Sequence, residues 1–502
     1  MDCMIRPAAL AISLLAFAHS SAHAAACDQL TALTLPKASV VSASAVPPGP
    51  FSSGGRGGAP DLPAFCRVQA VARPVAGSEI HLEVWLPQAE AWNGKFLGTG
   101  NGGYSSALSY ADMGSALRRG YAVAGSDTGH EGGDLKFGAG HPEKIDDWGW
   151  RAVHVMTETA KAVVLGYYAR AAAHSYFTGC STGGHQALSE AQRFPADYDG
   201  IVAGAPGNNR VRLNVGFLWS WLALQQGAEP LASKLQLIQQ AALATCDTVD
   251  GTRDGIIADP RACRFDPAVL DCHGPDSQNC LTAAQVAAVR KIYDGARNPR
   301  TGEQIFPGWA RGSEAGWTAY FVGQPEPARL DFWRYWVFDD PNWNPRTFDF
   351  DRDVARADSK MAAVAATSAN LAPFQKRGGR LIMYNGTADP VVPPEDGIRY
   401  YQSVQRAMGG PANTAAFFRY FLVPGMSHCG GGTGPNTFDA LGALDRWVTD
   451  GTAPAQILAT HSAAGKVDRS RPLCPFPQTA HWNRVGDIDQ AASYSCVASS
   501  GN

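Results

Sequence analysis

The sequence has few charged residues and no block of basic ones. Charged residues make up 17% of the 502 positions, and 42 Lys and Arg nearly balance 45 Asp and Glu. A surface that binds nucleic acid usually carries clustered positive charge. We therefore expect no nucleic-acid partner. Glycine, proline and tryptophan are plentiful (54, 33 and 13 residues), which is typical of a loop-rich extracellular protein.

Long hydrophobic runs are absent after the first residues. The apolar run 7–18 follows Arg6 and precedes the small residues 21–26, a pattern typical of a secretory signal peptide over residues 1–24. The run is shorter than the ~20 residues that span a bilayer, and no later stretch is long enough. The prediction is a secreted or periplasmic protein with no membrane partner.

The chain lacks any C-x-x-C pair, which disfavours a zinc site built from thiolates. One of its 11 cysteines, Cys3, lies in the leader, and ten remain in the mature chain. An even number in an exported protein predicts disulfide bonds. The ten are Cys27, Cys66, Cys180, Cys246, Cys263, Cys272, Cys280, Cys429, Cys474 and Cys496.

Short apolar runs alternate with helical patterns through most of the chain. Residues 81–86 alternate like a half-exposed strand, 95–99 and 121–125 resemble buried strands, and 151–173 have helical periodicity. This order predicts an α/β fold, with a parallel sheet covered by helices.

The character of the sequence changes between about residues 208 and 370. Polar helices, clustered Asp and Cys residues and many aromatics replace the alternating pattern, which returns at residues 380–384. We predict an α/β core formed by residues 25–207 and 371–502, interrupted by an inserted lid domain, residues 208–370. Two domains suit a mature chain of roughly 475 residues, since single cores seldom grow that large.

Ser181 lies in the motif Gly179-Cys180-Ser181-Thr182-Gly183, between a β-rich run and a helical pattern. A G-x-S-x-G motif in a strand-turn-helix context is typical of the nucleophile of an α/β-hydrolase, because the tight turn exposes the serine hydroxyl. The alternative is a merely structural glycine turn. We interpret Ser181 as a candidate nucleophile.

A serine nucleophile needs a base and an orienting carboxylate, which in α/β-hydrolases follow in the order Ser, Asp or Glu, His. Asp389 follows the predicted strand 381–384, and His428 lies in a glycine-rich loop after the run 417–423. Taken alone, each also fits a structural role. If Cys180 and Cys429 are bonded, Ser181 and His428 must lie close together, although such a bond could also be a simple fold staple.

An oxyanion needs backbone N–H donors. The residue after the nucleophile, Thr182, is the first expected donor, and the glycine loop 98–104 supplies the second from Gly102 or Gly103. The loop lacks the G-K-[ST] ending of a phosphate-binding loop, which disfavours a nucleotide ligand.

Residues 246–256 combine carboxylates and glycines. The carboxylates of Asp247, Asp250 and Asp254, with the carbonyls of Thr252 and Ile256, offer the oxygen ligands that Ca²⁺ prefers. A surface cluster of Asp/Gly turns explains the pattern equally well. The absence of histidine makes a catalytic zinc site less plausible.

Taken together, these motifs resemble the tannase and feruloyl esterase family, which includes a bacterial mono(hydroxyethyl) terephthalate hydrolase. The resemblance covers nearly the whole mature chain and rests on residues 179–184, 190–195, 199–206, 388–390 and 427–429, with 312–317 in the lid. It implies a Ser181–Asp389–His428 triad and a structural Ca²⁺ in the lid held by Asp247, Asp250, Thr252, Asp254 and Ile256. It also implies the bridges Cys180–Cys429, Cys27–Cys66, Cys246–Cys263, Cys272–Cys280 and Cys474–Cys496.

The resemblance further implies an esterase for small aromatic esters, including esters attached to plant polysaccharide or polyphenol. A feruloyl (hydroxycinnamoyl) esterase is the leading prediction, and tannase and mono(hydroxyethyl) terephthalate hydrolase are the alternatives. A catalytically silent binding protein and an interfacial lipase are remoter ones. We expect aromatics between Trp309 and Phe338 to stack on a planar acid, unless they form the lid core. The sequence departs from the family at residues 385–387, where pocket residues are expected.

Overall fold

The computed structural model describes residues 25–52, 58–229 and 231–498. The predicted signal peptide, residues 1–24, lies outside the described residues. Within the described ranges, no helix combines the length and apolar character needed to cross a membrane.

The strands lie before residue 205 and after residue 379, and the described residues between them form helices and loops, with isolated bridges but no strand. In chain order they are β1 (Ala38–Val46), β2 (Gly49–Phe51), β3 (Ala59–Leu62), β4 (Phe65–Ala72), β5 (Ile80–Pro87), β6 (Lys95–Thr99), β7 (Ala122–Ser126), β8 (His174–Cys180), β9 (Gly200–Gly204), β10 (Arg380–Gly386), β11 (Phe418–Val423), β12 (Thr437–Phe438), β13 (Ile457–Ala463), β14 (Lys466–Leu473), β15 (Gln478–Trp482) and β16 (Tyr494–Ala498).

A nine-stranded sheet forms the centre of the fold, in the order β1-β4-β5-β7-β6-β8-β9-β10-β11. The run from β7 to β11 is parallel, whereas β1, β4 and β5 pair antiparallel at one side. Because parallel strands end at the same edge, loops after β6, β8, β10 and β11 meet there. The predicted α/β fold is confirmed.

Helices cover both faces of the sheet. The α-helices are α1 (Tyr110–Arg118), α2 (Pro142–Asp146), α3 (Ala152–Tyr168), α4 (Thr182–Arg193), α5 (Arg210–Leu224), α6 (Leu235–Cys246), α7 (Ala283–Asp294), α8 (Asp353–Lys360), α9 (Ala372–Lys376), α10 (Pro394–Ala407), α11 (Pro411–Ala415) and α12 (Ala440–Asp450). Residues of α3, α4 and α10 belong to the core on one face, and residues of α1 and α12 to the core on the other.

Two local predictions need correction. Strand β5 is buried over almost its whole length, not half exposed, because it pairs with β4 and β7 inside the sheet and helices cover both faces. The helix predicted over residues 151–173 covers only Ala152–Tyr168, since Ala169 adopts a left-handed conformation (φ 53°) that ends it.

The chain leaves the sheet after β9 and returns at β10, which pairs with β9 in parallel. The predicted lid, residues 208–370, falls within this excursion. Its helices α5 to α8 surround a separate hydrophobic core rich in tryptophan and phenylalanine. The helical region therefore has a hydrophobic interior of its own, which Tyr104, Trp148, Val391 and Val392 from the sheet region join.

Candidate active site

Ser181 occupies a strained turn between β8 and α4. Its φ of 65° and ψ of −115° are rare for a residue with a side chain. Close packing explains the neighbouring glycines. A Cβ atom at Gly179 would lie 2.6 Å from the Cα of Gly183, and one at Gly184 would lie 2.2 Å from the carbonyl oxygen of Gly204. The sharp turn that presents the Ser181 hydroxyl therefore requires glycine at these positions.

His428 and Asp389 complete a hydrogen-bonded chain that starts at Ser181. The distance from Ser181 Oγ to His428 Nε2 is 2.8 Å, and His428 Nδ1 lies 2.8 Å from Asp389 Oδ2. With Nδ1 donating to the carboxylate, Nε2 is free to accept the serine proton. The arrangement is able to activate a hydroxyl for attack on an electrophilic carbon.

The carboxylate of Asp389 is fully buried. Its second oxygen, Oδ1, accepts hydrogen bonds from the backbone N–H groups of Val391 (2.8 Å) and Val392 (2.9 Å). Hydrogen bonds of this kind stabilise the charged form of a buried acid. Asp389 is thereby held in one orientation toward His428.

Ten cysteines form five disulfide bonds in the five pairings that the family resemblance implies. The bond between Cys180 and Cys429 spans 5.9 Å between Cα atoms. Because these cysteines adjoin Ser181 and His428, it joins the turn after β8 to the loop after β11. The predicted covalent link between the two loops is confirmed.

Asn385 and Thr387 in the segment 385–387, where pocket residues are expected, are buried and make hydrogen bonds inside the fold. The Oδ1 atom of Asn385 accepts a hydrogen bond from the Tyr420 hydroxyl (3.2 Å). Thr387 Oγ1 donates to the carbonyl of Ile257 (3.0 Å) and accepts from the N–H of Gly425 (2.8 Å). Thr387 thus links the loop that carries Asp389 to the loop that carries His428 and to Ile257 of the helical region, and Asn385 is anchored to β11.

The predicted oxyanion donors lie on two segments in contact. Thr182 is the first residue of α4, where a backbone N–H has no acceptor within the helix. A Cβ atom at Gly100 would lie 2.6 Å from the Cα of Gly183, so the glycine loop packs directly on this helix end. The Asn101 N–H also donates to Gln186 Oε1 of α4 (2.9 Å).

Gly102 and Gly103 continue this loop beyond Asn101. Gly103 has a φ of 59°, and a Cβ atom there would meet nothing within 4 Å. The position where a side chain would start at Gly103 is therefore free of other protein atoms.

The loop predicted to bind calcium keeps its carboxylates on one short segment. Asp247 Oδ1 accepts from the backbone N–H groups of Asp254, Gly255 and Ile256 at 3.0–3.3 Å. Burial, and then the neighbouring charges of Asp254 and Asp247, raise the pKa of Asp250. Clustered acids that repel one another are chemically suited to a hard cation.

Two features of the loop oppose a preformed calcium cage. Asp254 Oδ2 is paired with the buried guanidinium of Arg471 (2.8 Å). Among the described residues, three side-chain ligand atoms converge within 4.8 Å at two other clusters, Cys272–Asp276–Cys280 and His154–Glu190–Asp197, and not in this loop. The donor set suits Ca²⁺, but the carboxylates would have to draw together around it.

The lid aromatics form a core and not an open stacking surface. Trp309, Trp317, Trp333 and Trp336 are each at most 1% exposed. Trp309 nevertheless reaches the site, since its indole N–H donates to the carbonyl of Pro390 (2.7 Å), next to Asp389. These four tryptophans belong to the interior of the helical region, which is the alternative that the sequence left open.

Arg210 is a site residue that was not predicted from the sequence. This buried arginine at the start of α5 donates from Nη2 to Thr182 Oγ1 (3.1 Å). In the sequence, Arg210 lies four residues after Pro206, the last residue of the segment 199–206 that carries part of the family resemblance. Nothing else in the sequence indicated that Arg210 lies near the site. Charged residues at buried positions have no characteristic sequence pattern.

Comparison with known proteins agrees with this geometry. Residues 66–497 match the sequence model of the family described as tannase and feruloyl esterase. The chain is 41% identical to an uncharacterized esterase of Xanthomonas campestris pv. campestris, over 96% of this chain and 92% of that protein. It is 34% identical to mono(2-hydroxyethyl) terephthalate hydrolase of Piscinibacter sakaiensis, over 87% of this chain and 85% of that protein.

Solved structures give the same result. Feruloyl esterase B of Aspergillus oryzae superimposes with a TM-score of 0.87 at 30% identity, covering 94% of this chain and 99% of that one. Tannin acyl hydrolase of Aspergillus niger, at 21% identity and a TM-score of 0.79 over 93% and 94%, shares the fold.

The fold and the matched sequence define an α/β-hydrolase esterase. More narrowly, the chain belongs to the tannase and feruloyl esterase family and is an ester hydrolase of that family.

Proposed function

We propose that this enzyme hydrolyses esters of aromatic carboxylic acids through an acyl-enzyme, with feruloyl (hydroxycinnamoyl) esters as the preferred class. The observation that carries the proposal is the hydrogen-bonded chain Ser181–His428–Asp389, with 2.8 Å at each step. The relative from Aspergillus oryzae that shares the fold at a TM-score of 0.87 is named a feruloyl esterase.

In the proposed mechanism Ser181 Oγ attacks the ester carbonyl while His428 Nε2 takes its proton. The N–H groups of Thr182 and of Gly102 or Gly103 stabilise the negative oxygen of the tetrahedral intermediate. His428 then protonates the leaving alcohol, and a water molecule, activated in the same way, releases the acid. Asp389 stabilises the imidazolium form throughout.

Initial rates on methyl ferulate, methyl gallate and mono(hydroxyethyl) terephthalate test the substrate class. We expect methyl ferulate to be cleaved at least tenfold faster, and Ser181→Ala to lower that rate by about 10⁵–10⁶-fold. Faster cleavage of the terephthalate ester would favour the second candidate, which the 34% identity to the Piscinibacter enzyme supports. Cleavage of none of the three would contradict an aromatic-ester substrate and favour a silent binding protein.

The natural substrate is proposed to be a small aromatic ester attached to plant polysaccharide or polyphenol, and the enzyme is proposed to act outside the cytoplasm. Five disulfide bonds support an oxidising compartment. Activity of fractionated cells checks this, since enzyme confined to the cytoplasmic fraction would contradict it.

Residues 208–370 are proposed to act as a lid that holds one structural Ca²⁺ through Asp247, Asp250, Asp254 and the carbonyls of Thr252 and Ile256. The ion would neutralise the clustered carboxylates and rigidify the lid. We expect Ca²⁺ at about 100 times its Kd to stabilise the fold by about 2.7 kcal/mol relative to EDTA, and Asp250→Asn to lose that gain. Asp266→Asn, in an exposed pair with Arg290, is the control. Equal Tm in Ca²⁺ and EDTA would contradict the proposal.

A further inference from the structure

Arg210 lies behind the predicted oxyanion hole. The residue is 1% exposed, and its Nη2 donates to Thr182 Oγ1 at 3.1 Å. The backbone N–H of Thr182 is one of the two predicted oxyanion donors. The guanidinium therefore binds the side chain of the residue whose main chain would contact the developing negative charge.

The same guanidinium contacts the second donor segment. Its Cζ lies 5.5 Å from the ring centroid of Tyr104, which follows Gly103 directly in the chain. It also lies 5.0 Å from the ring of Trp148, and the two rings stack at 4.6 Å. Arg210 thus bridges the helix start at Thr182 and the glycine loop.

This position is unfavourable for a cation. No carboxylate forms an ion pair with Arg210 in the part of the chain that the structure describes, and its Nε has no acceptor there. Burial and the positive charge of Arg329 lower the pKa of Arg210 to about 10. Arg210 is also the first residue of α5, the end where a helix disfavours positive charge. Stacking on the aromatic rings offsets only part of these costs.

A buried cation with no resident anion is suited to an anion that exists only during the reaction. We propose that Arg210 is a positioning residue for the oxyanion hole. It holds the Thr182 and Gly102–Tyr104 segments in register, and its charge favours the tetrahedral oxyanion over the neutral ester. The inference rests on the proposed serine mechanism and does not depend on the acid that the enzyme prefers.

The test uses p-nitrophenyl acetate, whose small acyl group does not depend on an aromatic acid pocket. Arg210→Met keeps the length of the side chain and removes the charge. We expect kcat to fall by about tenfold or more, with KM changed less than about threefold. The reason is that the variant loses stabilisation of the transition state and not of the bound ester. Arg210→Lys should retain more activity than Arg210→Met. Arg212→Met is the matched control on the same helix, since Arg212 pairs with Asp358 instead, and its kcat should be unchanged.

Thr182→Val tests the connection between the two residues. Valine removes the hydroxyl that Arg210 binds and keeps the backbone N–H. We expect Thr182→Val to lower kcat and Arg210→Lys to cause little further loss in that background, since the two act through one hydrogen bond. This pair also decides the matter if Arg210→Met does not fold.

Three results would overturn the inference. They are a folded Arg210→Met enzyme with kcat within about twofold of wild type, an Arg210→Lys enzyme no better than Arg210→Met, and fully additive effects with Thr182→Val. Failure of the proposed substrate class gives a different result, namely no cleavage of the aromatic esters by an enzyme that still cleaves p-nitrophenyl acetate through Ser181.

Discussion

Asp389 and Glu190 are both carboxylates in the interior, at 0% and 1% exposure, but they differ in their partners. Asp389 is bonded to two backbone N–H groups and to His428. Neither oxygen of Glu190 accepts a hydrogen bond from a described residue. Burial alone therefore does not determine the charge of an interior acid, because the available donors decide whether the charged form is stabilised.

The residues around Glu190 explain why its pKa is raised. One ligand atom each of Glu190, Asp197 and His154 lie within 4.8 Å of one another, and His154 Nδ1 lies 2.7 Å from Asp197 Oδ2. Burial first, and then the charge of Asp197, raise the pKa of Glu190 well above its usual value, while Lys161 opposes the shift. The raised pKa means that the interior of the folded enzyme favours the neutral form of Glu190.

Asp389→Asn gives the largest expected effect. An amide cannot stabilise the imidazolium and favours the wrong histidine tautomer, so kcat should fall by about 10⁴-fold while the fold is retained. Steady-state kinetics and circular dichroism measure both. Asp439→Asn is the control, because asparagine caps a helix as well as aspartate does and Asp439 lies at the exposed start of α12. Less than a tenfold loss for Asp389→Asn would contradict its proposed role.

Removal of the disulfide next to Ser181 should have the second largest effect. With Cys180 and Cys429 both changed to serine, we expect about 2–5 kcal/mol lower stability. We also expect up to about 100-fold lower kcat, because small misplacements of reacting groups are costly. Replacing Cys474 and Cys496 in the same way should lower stability alone. If both double variants keep wild-type kcat, the bond next to the site is a structural staple only.

Glu190→Gln should change the pH dependence of stability and leave kcat near wild type. A raised pKa in the folded state means that the contribution of Glu190 is fully present below pH 4.5, its ordinary pKa, and is lost as pH rises toward the folded value. Within that window the wild type should lose up to about 1.4 kcal/mol per pH unit. The glutamine variant should lack this slope.

Urea unfolding at several pH values measures the difference. His154, Asp197 and Lys161 remain in both proteins, so the two differ only at residue 190. The control is Glu158→Gln on α3, whose carboxylate lies 3.6 Å from His154 but is largely exposed. Parallel pH profiles of the wild type and Glu190→Gln would contradict a raised pKa of Glu190 in the folded enzyme.

The order of residues along the chain was enough to predict the candidate triad. Ser181, Asp389 and His428 each follow a strand of the parallel sheet, and such strands end at one edge. The disulfide pairings came from the family resemblance and agree with the structure. The burial of Asn385 and Thr387 was not predicted, because their partners lie up to 130 positions away in the chain.

The same limit applies to the lid and to the two buried charges. In the sequence, aromatic residues such as Trp309 and Trp333 are equally compatible with a ligand pocket and with a hydrophobic core. The tertiary structure places both in the core of the helical region. The sequence shows Arg210 as an ordinary basic residue near a helix start. Its isolation from every described carboxylate is visible only in three dimensions.

The sequence by itself determined the strand-turn-helix at Ser181, the order of nucleophile, acid and base, and the glycines around them, because these depend on local backbone geometry and on fixed spacing. Tertiary structure alone decided which buried charges have partners. Donors, acceptors and solvent exclusion come from segments that are far apart in the chain. Asp389 therefore has three hydrogen-bond donors, whereas no described residue donates to Glu190. Arg210 packs against the rings of Tyr104 and Trp148 beside Thr182.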